Sequence, residues 1–203
     1  MTENIIERVK RADVDDVCLA FPFTGKPADV AFRDLAHKTG IAYCCPEFVG
    51  ESDLVGRYMA ASLVTHAKII VRVPGDNPCI DPAFIDKAVR VYMRGGYLFY
   101  TNTTDKVEGF GYVDGIGAEV LSADTLALLD RVTVGSPVYR EHPHKWFEDN
   151  FPESKLPKAA LRLDVNTQED YDFIKGLYDH IGHNRFTTNE AVEAVSELNR
   201  CRN

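Results

Sequence analysis

The chain has 203 residues, 45% of them hydrophobic and 27% charged, with a formal net charge of −8 and five cysteines. A single domain of that size buries about 70% of the surface of its unfolded chain, so its stability requires neither disulfides nor metal ions. The negative balance argues against a nucleic-acid surface, and no run nears the roughly 20 apolar residues of a membrane span. The opening MTENIIERVKRADVDD is charged throughout and lacks the apolar core of a signal peptide. Without a CxxC pair or a Cys/His zinc spacing, reduced thiols in a cytoplasmic protein are expected.

Residues 3–11 read as a short helix, with Arg8, Lys10 and Arg11 as a solvated basic face, and Val17–Phe21 as a strand. Pro27 opens a helix that Gly40 closes. IAYCC (41–45) is a buried strand, Asp53 to about Thr65 a helix, and Lys68–Val73 an apolar strand of the kind covered on both faces. Asp81 and Pro82 start the clearest helix, on which Phe84, Ile85, Ala88, Val89, Tyr92 and Met93 form one apolar stripe. Strands follow at Tyr97–Thr101 and Gly115–Leu121, then helices from Ala123 to about Arg131 and from about Val138 to Asn150. Ala159–Val165 is a strand, Thr167 starts a helix with acids in its first turn, and Thr187-x-x-Glu190 is a capping box for the last helix.

This alternation predicts an α/β protein with a mainly parallel sheet, whose ligands bind beyond the carboxyl ends of the strands. Three polar clusters fall at such ends: Gly75-Asp76-Asn77, Thr101-Asn102-Thr103 and Asp164-Val165-Asn166. Asp76 either closes a turn through its own backbone or holds a metal ion. Asp81 is explained by its helix cap. Asp164 and Asn166 share a face, and approach Asp76 if their strand ends are neighbours. Arg140, Glu141, His142 and His144 are the densest polar group, either an anion-lining set or a surface patch; as a metal site their H-x-H step is weak, because i and i+2 face apart on a helix. Trp146 and Phe147 are expected to dock that helix on the core. GxGxxG, GxxxxGK[ST] and GxSxG elements are all missing from the sequence, which disfavours dinucleotide, P-loop and α/β-hydrolase chemistry.

The stretches SDLVGRY (52–58), IIVRVPGDNPCIDP (69–82), YTN (100–102), YVDGIGAEV (112–120), YREH (139–142) and VNTQEDYDFI (165–174), in that order, resemble the cytidylyltransferase family of the CMP-Kdo and CMP-neuraminate synthetases. The spore-coat polysaccharide biosynthesis branch is the best match. The resemblance implies a three-layer, Rossmann-like nucleotide-diphospho-sugar transferase fold over the whole chain. It also implies CTP and a sugar or sugar acid as substrates, Mg²⁺ as cofactor and a homodimer. On it, Asp76 is the catalytic metal ligand, joined by Asn166 or Asp164. Arg57, Arg72 and Asn77 face the nucleotide, while Asn102, Glu119, Arg140, Glu141 and His142 line the sugar side. The alternative is a non-catalytic homologue that binds a sugar phosphate or a partner enzyme.

Three departures bear on that choice. Asn166 and Gly117 stand where the family has Asp. MTENIIERVK aligns with the helix that follows the family's first strand and basic phosphate loop. Either Val17–Phe21 therefore pairs directly with Lys68–Val73, or a central strand and its loop are absent.

Overall fold

The computed structural model describes residues 1–151 and 159–200. Its elements run α1 (Thr2–Val9), β1 (Cys18–Ala20), α2 (Pro27–Thr39), β2 (Ala42–Cys44), α3 (Leu54–Thr65), β3 (Ile69–Arg72) and α4 (Pro82–Gly95). Next come β4 (Phe99–Thr101), β5 (Thr104–Val107), β6 (Gly111–Asp114), β7 (Glu119–Ser122), α5 (Ala123–Val132), α6 (Pro137–Glu141), α7 (Pro143–Asn150), β8 (Leu161–Arg162), α8 (Gln168–Ile181) and α9 (Thr188–Arg200). The sheet is mixed. β7 lies between β3 and β4 and runs antiparallel to both, with Val71 and Tyr100 opposite Val120. β5 and β6 form an antiparallel hairpin, β8 joins β6 in parallel, and β1 pairs with β2 in parallel.

Side chains of β3 alternate between two helical layers, as a pleated strand requires. Ile70 packs with Val55, Leu121, Leu126 and Phe147 under α3, α5 and α7. Ile69 and Val71 turn the other way, to Ala88 and Tyr92 of α4. Ile5 and Val9 of α1 meet Val71 and Val73 on that same side. A further core, with Val113, Leu163, Ile174, Leu177 and Phe186 at its centre, joins β6 and β8 to α8 and α9. Phe147 stacks on Phe99 at 4.5 Å, so the Trp146–Phe147 step docks on the core as expected.

Caps sit where the sequence places them. Gly40 closes α2 at φ 66°, Asp53 accepts from the Gly56 N–H, and Thr167 with Asp170 completes a capping box on α8. Other expectations need correction. The helix expected over 138–150 breaks at Pro143 into α6 and α7, because proline donates no hydrogen bond to the preceding turn. Met93, assigned to the buried stripe of α4, is 65% exposed. The β5–β6 hairpin was not anticipated; Gly109 and Gly111, both at positive φ, turn it. Arg8 does not lie on a solvated face but is fully buried. Its guanidinium donates to the carbonyls of Cys79, Ile80, Asn184 and Phe186, and it stacks 4.2 Å from the Phe186 ring.

β1 and β3 do not pair with one another. Val17 and Phe21 bond to the β2 side, so alternation turns the N–H and C=O of Cys18 and Ala20 away from it. The Lys68 carbonyl accepts from Ala123 N–H at 2.9 Å, so Ile69 and Val71 likewise face away from β7. α3 packs on β1, β2 and Ile70, while α1 packs on α2 and on Val71, so both helices span this junction. Every residue of β1 and β3 stays half-buried, whereas Glu119, Val120 and Leu121 of the fully flanked β7 are buried. The expectation of a β3 strand covered on both faces holds, since helical layers pack on both; what lacks a pairing partner among the described residues is its edge away from β7.

Candidate functional site at the carboxyl edge of the sheet

Asp76 follows β3 in the turn Pro74-Gly75-Asp76-Asn77, closed by Asn77 N–H on the Pro74 carbonyl at 3.3 Å. Its main-chain carbonyl accepts from Val165 N–H at 2.7 Å, and the Asp114 carbonyl accepts from Leu163 N–H at 3.1 Å. Main-chain bonds thus stitch the ends of β3, β6 and β8 together. Gly115, at φ +83°, is required at this crossing: a Cβ there would lie 2.7 Å from Asp164 N. The neighbourhood between Asp76 and Asp164 that alternation left conditional is therefore formed.

The carboxylates differ in what they have left to offer. Asp76 Oδ1 is sealed from solvent and has no hydrogen-bond partner. Asp164 is already occupied, by Arg162 and by Asn166 Nδ2 at 2.6 Å. Since the Asn166 amide nitrogen is turned to Asp164, its oxygen is left without a partner among the described residues. Asp114, which lies in the YVDGIGAEV stretch and was given no role, belongs to this cluster. Burial raises its pKa, and the nearby charges of Asp164 and Asp76 raise it further. Its place at the end of an alternating strand was the available sequence signal. Among the described residues no group of three or more His, Cys, Asp or Glu is arranged to hold a metal by itself. An oxygen set of one free carboxylate and one amide suits a hard cation that takes its remaining ligands from phosphate and water. The orphaned Asp76 oxygen fits Mg²⁺, with Asn166 as the neutral second donor.

Around this edge the arginines are unequally free. Arg72 is half-buried, and donates from Nη1 to Glu119 Oε1 at 2.7 Å and from Nε to Tyr58 Oη at 3.0 Å. Burial works against its charge, but Glu119 and Tyr58 outweigh that and raise its pKa. Arg140 bridges Asp53, the cap of α3, to Asp130 of α5, at 2.9 and 3.0 Å. Arg57 is 7% exposed, bonds the Glu51 carbonyl, and keeps a buried Nε without a partner. Burial lowers its pKa. Of these three, only Arg57 has no carboxylate on its guanidinium among the described residues.

The remaining assigned residues separate in the same way. Asn102 is spent internally: Nδ2 donates to the Phe84 carbonyl at 2.8 Å and Oδ1 accepts from Ala118 N–H at 2.9 Å. Gly117 passes so close that a Cβ would meet the Asn102 carbonyl oxygen at 2.0 Å, so the family's Asp is sterically excluded from this backbone. Asn77 is 4% exposed and its side-chain amide makes no hydrogen bond among the described residues. Glu141 is half-buried on α6, and His142 is exposed, its ring 5.9 Å from that of His144. Asp81 is used up as a cap, accepting from Ala83 N–H and from both Thr188 N–H and Oγ1. Two hollows, of about 450 and 510 Å³, lie away from this edge, at Asp81–Thr187 and between α1 and α8.

No protein-family model matches the chain. It is 26% identical over 161 residues to the spore coat polysaccharide biosynthesis protein SpsF of Bacillus subtilis, covering 74% of this chain and 62% of that protein. It is 27% identical over 189 residues to an uncharacterised protein of Methanocaldococcus jannaschii, covering 88% of this chain and 72% of the other. In fold it matches a cytidylyltransferase from Leptospira borgpetersenii with a TM-score of 0.80 at 24% identity, over 98% of this chain and 84% of that one. It also matches CMP:2-keto-3-deoxy-manno-octonic acid synthetase complexed with CTP, with a TM-score of 0.63 at 14% identity, over 88% and 87%. The chain thus shares the Rossmann-like α/β fold of solved cytidylyltransferases, as the resemblance implied, and is similar in sequence to a spore coat polysaccharide biosynthesis protein.

Proposed function

We propose that this protein is a cytidylyltransferase-like enzyme that binds CTP and forms a CMP-activated sugar for surface-polysaccharide biosynthesis, acting in the cytoplasm as a homodimer. One observation supports this above the others. Asp76 keeps a buried, unpartnered oxygen at the carboxyl edge, in the motif where the resemblance implies a metal ligand. An unpaired buried carboxylate oxygen costs about 1–3 kcal/mol, and a cation removes that cost. Asp76 and Asn166 would hold Mg²⁺, with Asp164 beside them. The ion, when bound, neutralises phosphate oxygens and orients the displacement at the α-phosphate. Arg57, the guanidinium without a carboxylate, faces the nucleotide, and Asn77 offers its unbonded amide. Glu119 and His142 line the acceptor side; Arg72 and Arg140 act there by fixing Glu119 and the start of α3.

Calorimetric titration of CTP with Mg²⁺ tests this reading. Metal-dependent binding in the wild type that disappears in Asp76→Ala is expected. Equal binding by both proteins would remove Asp76 from the site. A second reading, a non-catalytic homologue that holds a sugar phosphate or a partner enzyme, is favoured by one specific observation. Two of the three arginines assigned to the site are neutralised within the protein, which leaves little charge to grip a triphosphate. Binding of a sugar phosphate but not of CTP would select it.

A further inference from the structure

His144 has no part in the proposed function so far, yet its surroundings are those of a poised base. It follows Pro143 in the first turn of α7, and it approaches the same Glu119 oxygen, Oε1, that Arg72 bonds. Its Nδ1 is sealed from solvent, has no hydrogen-bond partner, and lies 3.6 Å from Glu119 Oε1. Glu119 is 4% exposed; Oε1 accepts from Arg72, while Oε2 is unpartnered among the described residues without being a sealed atom. The imidazole Nε2 is likewise unpartnered and unsealed. Arg72 ends β3 four residues before Asp76, and Glu119, its register partner at the start of β7, lies beside it, so the imidazole lies on the edge where the nucleotide is placed.

We propose that His144 is the general base for the acceptor sugar's hydroxyl, with Glu119 setting its tautomer. This rests on the cytidylyl-transfer reading. A carboxylate across from Nδ1 favours the Nδ1–H form and leaves the Nε2 lone pair free. In the step, Nε2 takes the hydroxyl proton and the hydroxyl oxygen bonds the α-phosphorus. The bond from that phosphorus to the bridging oxygen breaks, and pyrophosphate leaves with the electron pair. The imidazolium then sits against Glu119, whose charge stabilises it. Catalytic hydrogen bonds are often longer without substrate than with it, so the 3.6 Å separation is compatible with this role. The groups facing His144 are Glu119 of β7, Arg72 of β3, Glu148 of its own helix and His142 before it. Burial first, and then Arg72, depress its pKa below the ordinary 6.5, against the pull of Glu119, so the base form prevails at neutral pH.

Two measurements on the full chain decide the matter without knowledge of the sugar. Long-range ¹⁵N–¹H spectra of histidine-labelled protein, assigned with His144→Gln, should show neutral His144 as the Nδ1–H tautomer. Carbethoxylation of His144 Nε2 by diethylpyrocarbonate should slow about tenfold when CTP·Mg²⁺ is present at about ten times its Kd. An Nε2–H tautomer, or modification unaffected by CTP that calorimetry shows to be bound, would overturn the role of His144 alone. A wild type that binds no CTP would overturn the transfer reading and this role together.

Discussion

Two parts of the same sheet edge contrast sharply. Around Asp76, Asp114 and Asp164 the strand ends are stitched by main-chain bonds, and nearly every polar group has an internal partner. At the junction of β1 and β3, two strand edges stay unpaired under α3 and α1, and their residues are only half-buried. The contrast teaches where to look for function. In the stitched region, chemistry is left to the few groups that the fold does not consume: the Asp76 oxygen, the Asn77 amide, the Asn166 carbonyl and the His144 imidazole. At the junction the unspent groups are backbone, and they bear on stability rather than on recognition of a small ligand.

The largest expected effect would break the stitched region outright. Arg8→Leu should cost about 3–5 kcal/mol in urea unfolding, because it strips donors from four buried carbonyls and so frees the loop between Asp76 and Asp81. A loss below about 1 kcal/mol would show that Arg8 does not hold that loop. Gly117→Ala comes next. Its Cβ meets the Asn102 backbone, and about 2–3 kcal/mol of destabilisation is expected; a neutral outcome would mean that the β7 start moves freely past Asn102. Asp76→Asn should leave unfolding within about 0.5 kcal/mol of the wild type, or above it, since it changes a carboxylate that has one sealed oxygen without a partner. A large loss would reassign Asp76 from ligand binding to turn stability.

Acid sharpens the comparison more gently. The folded pKa of His144 lies below its ordinary value, so the unfolded chain binds the extra proton first. Stability should therefore be complete above about pH 6.5 and decline as pH falls through that value. The decline should be missing in His144→Gln, as read by denaturation midpoints. Smallest in free energy is the local opening of the junction. Amides of Cys18, Ala20, Ile69 and Val71 should exchange with solvent faster than that of Val120, whose strand is flanked on both sides. Equal protection would mean that these four amides have partners in solution.

Much of this protein was legible in its sequence, and the reason is local. Helix caps at Gly40, Asp53, Asp81, Thr167 and Thr187 depend on residues a few positions away, so they could be read directly. Asp76 was found because a strand followed by a Gly-Asp turn is a local pattern, and its motif resembles a known family. The tertiary structure decided what depends on distant partners. Arg8 looked like one charge of a solvated face until carbonyls more than 70 residues away in sequence enclosed it. Arg72, Asn102 and Arg140 looked free to bind substrate, and Glu119, Phe84 with Ala118, and Asp53 with Asp130 took their polar atoms. Composition and periodicity fix which residues a segment offers. Whether an offered group is spent inside the protein or kept for a ligand is set by long-range pairing, which only the folded chain brings about.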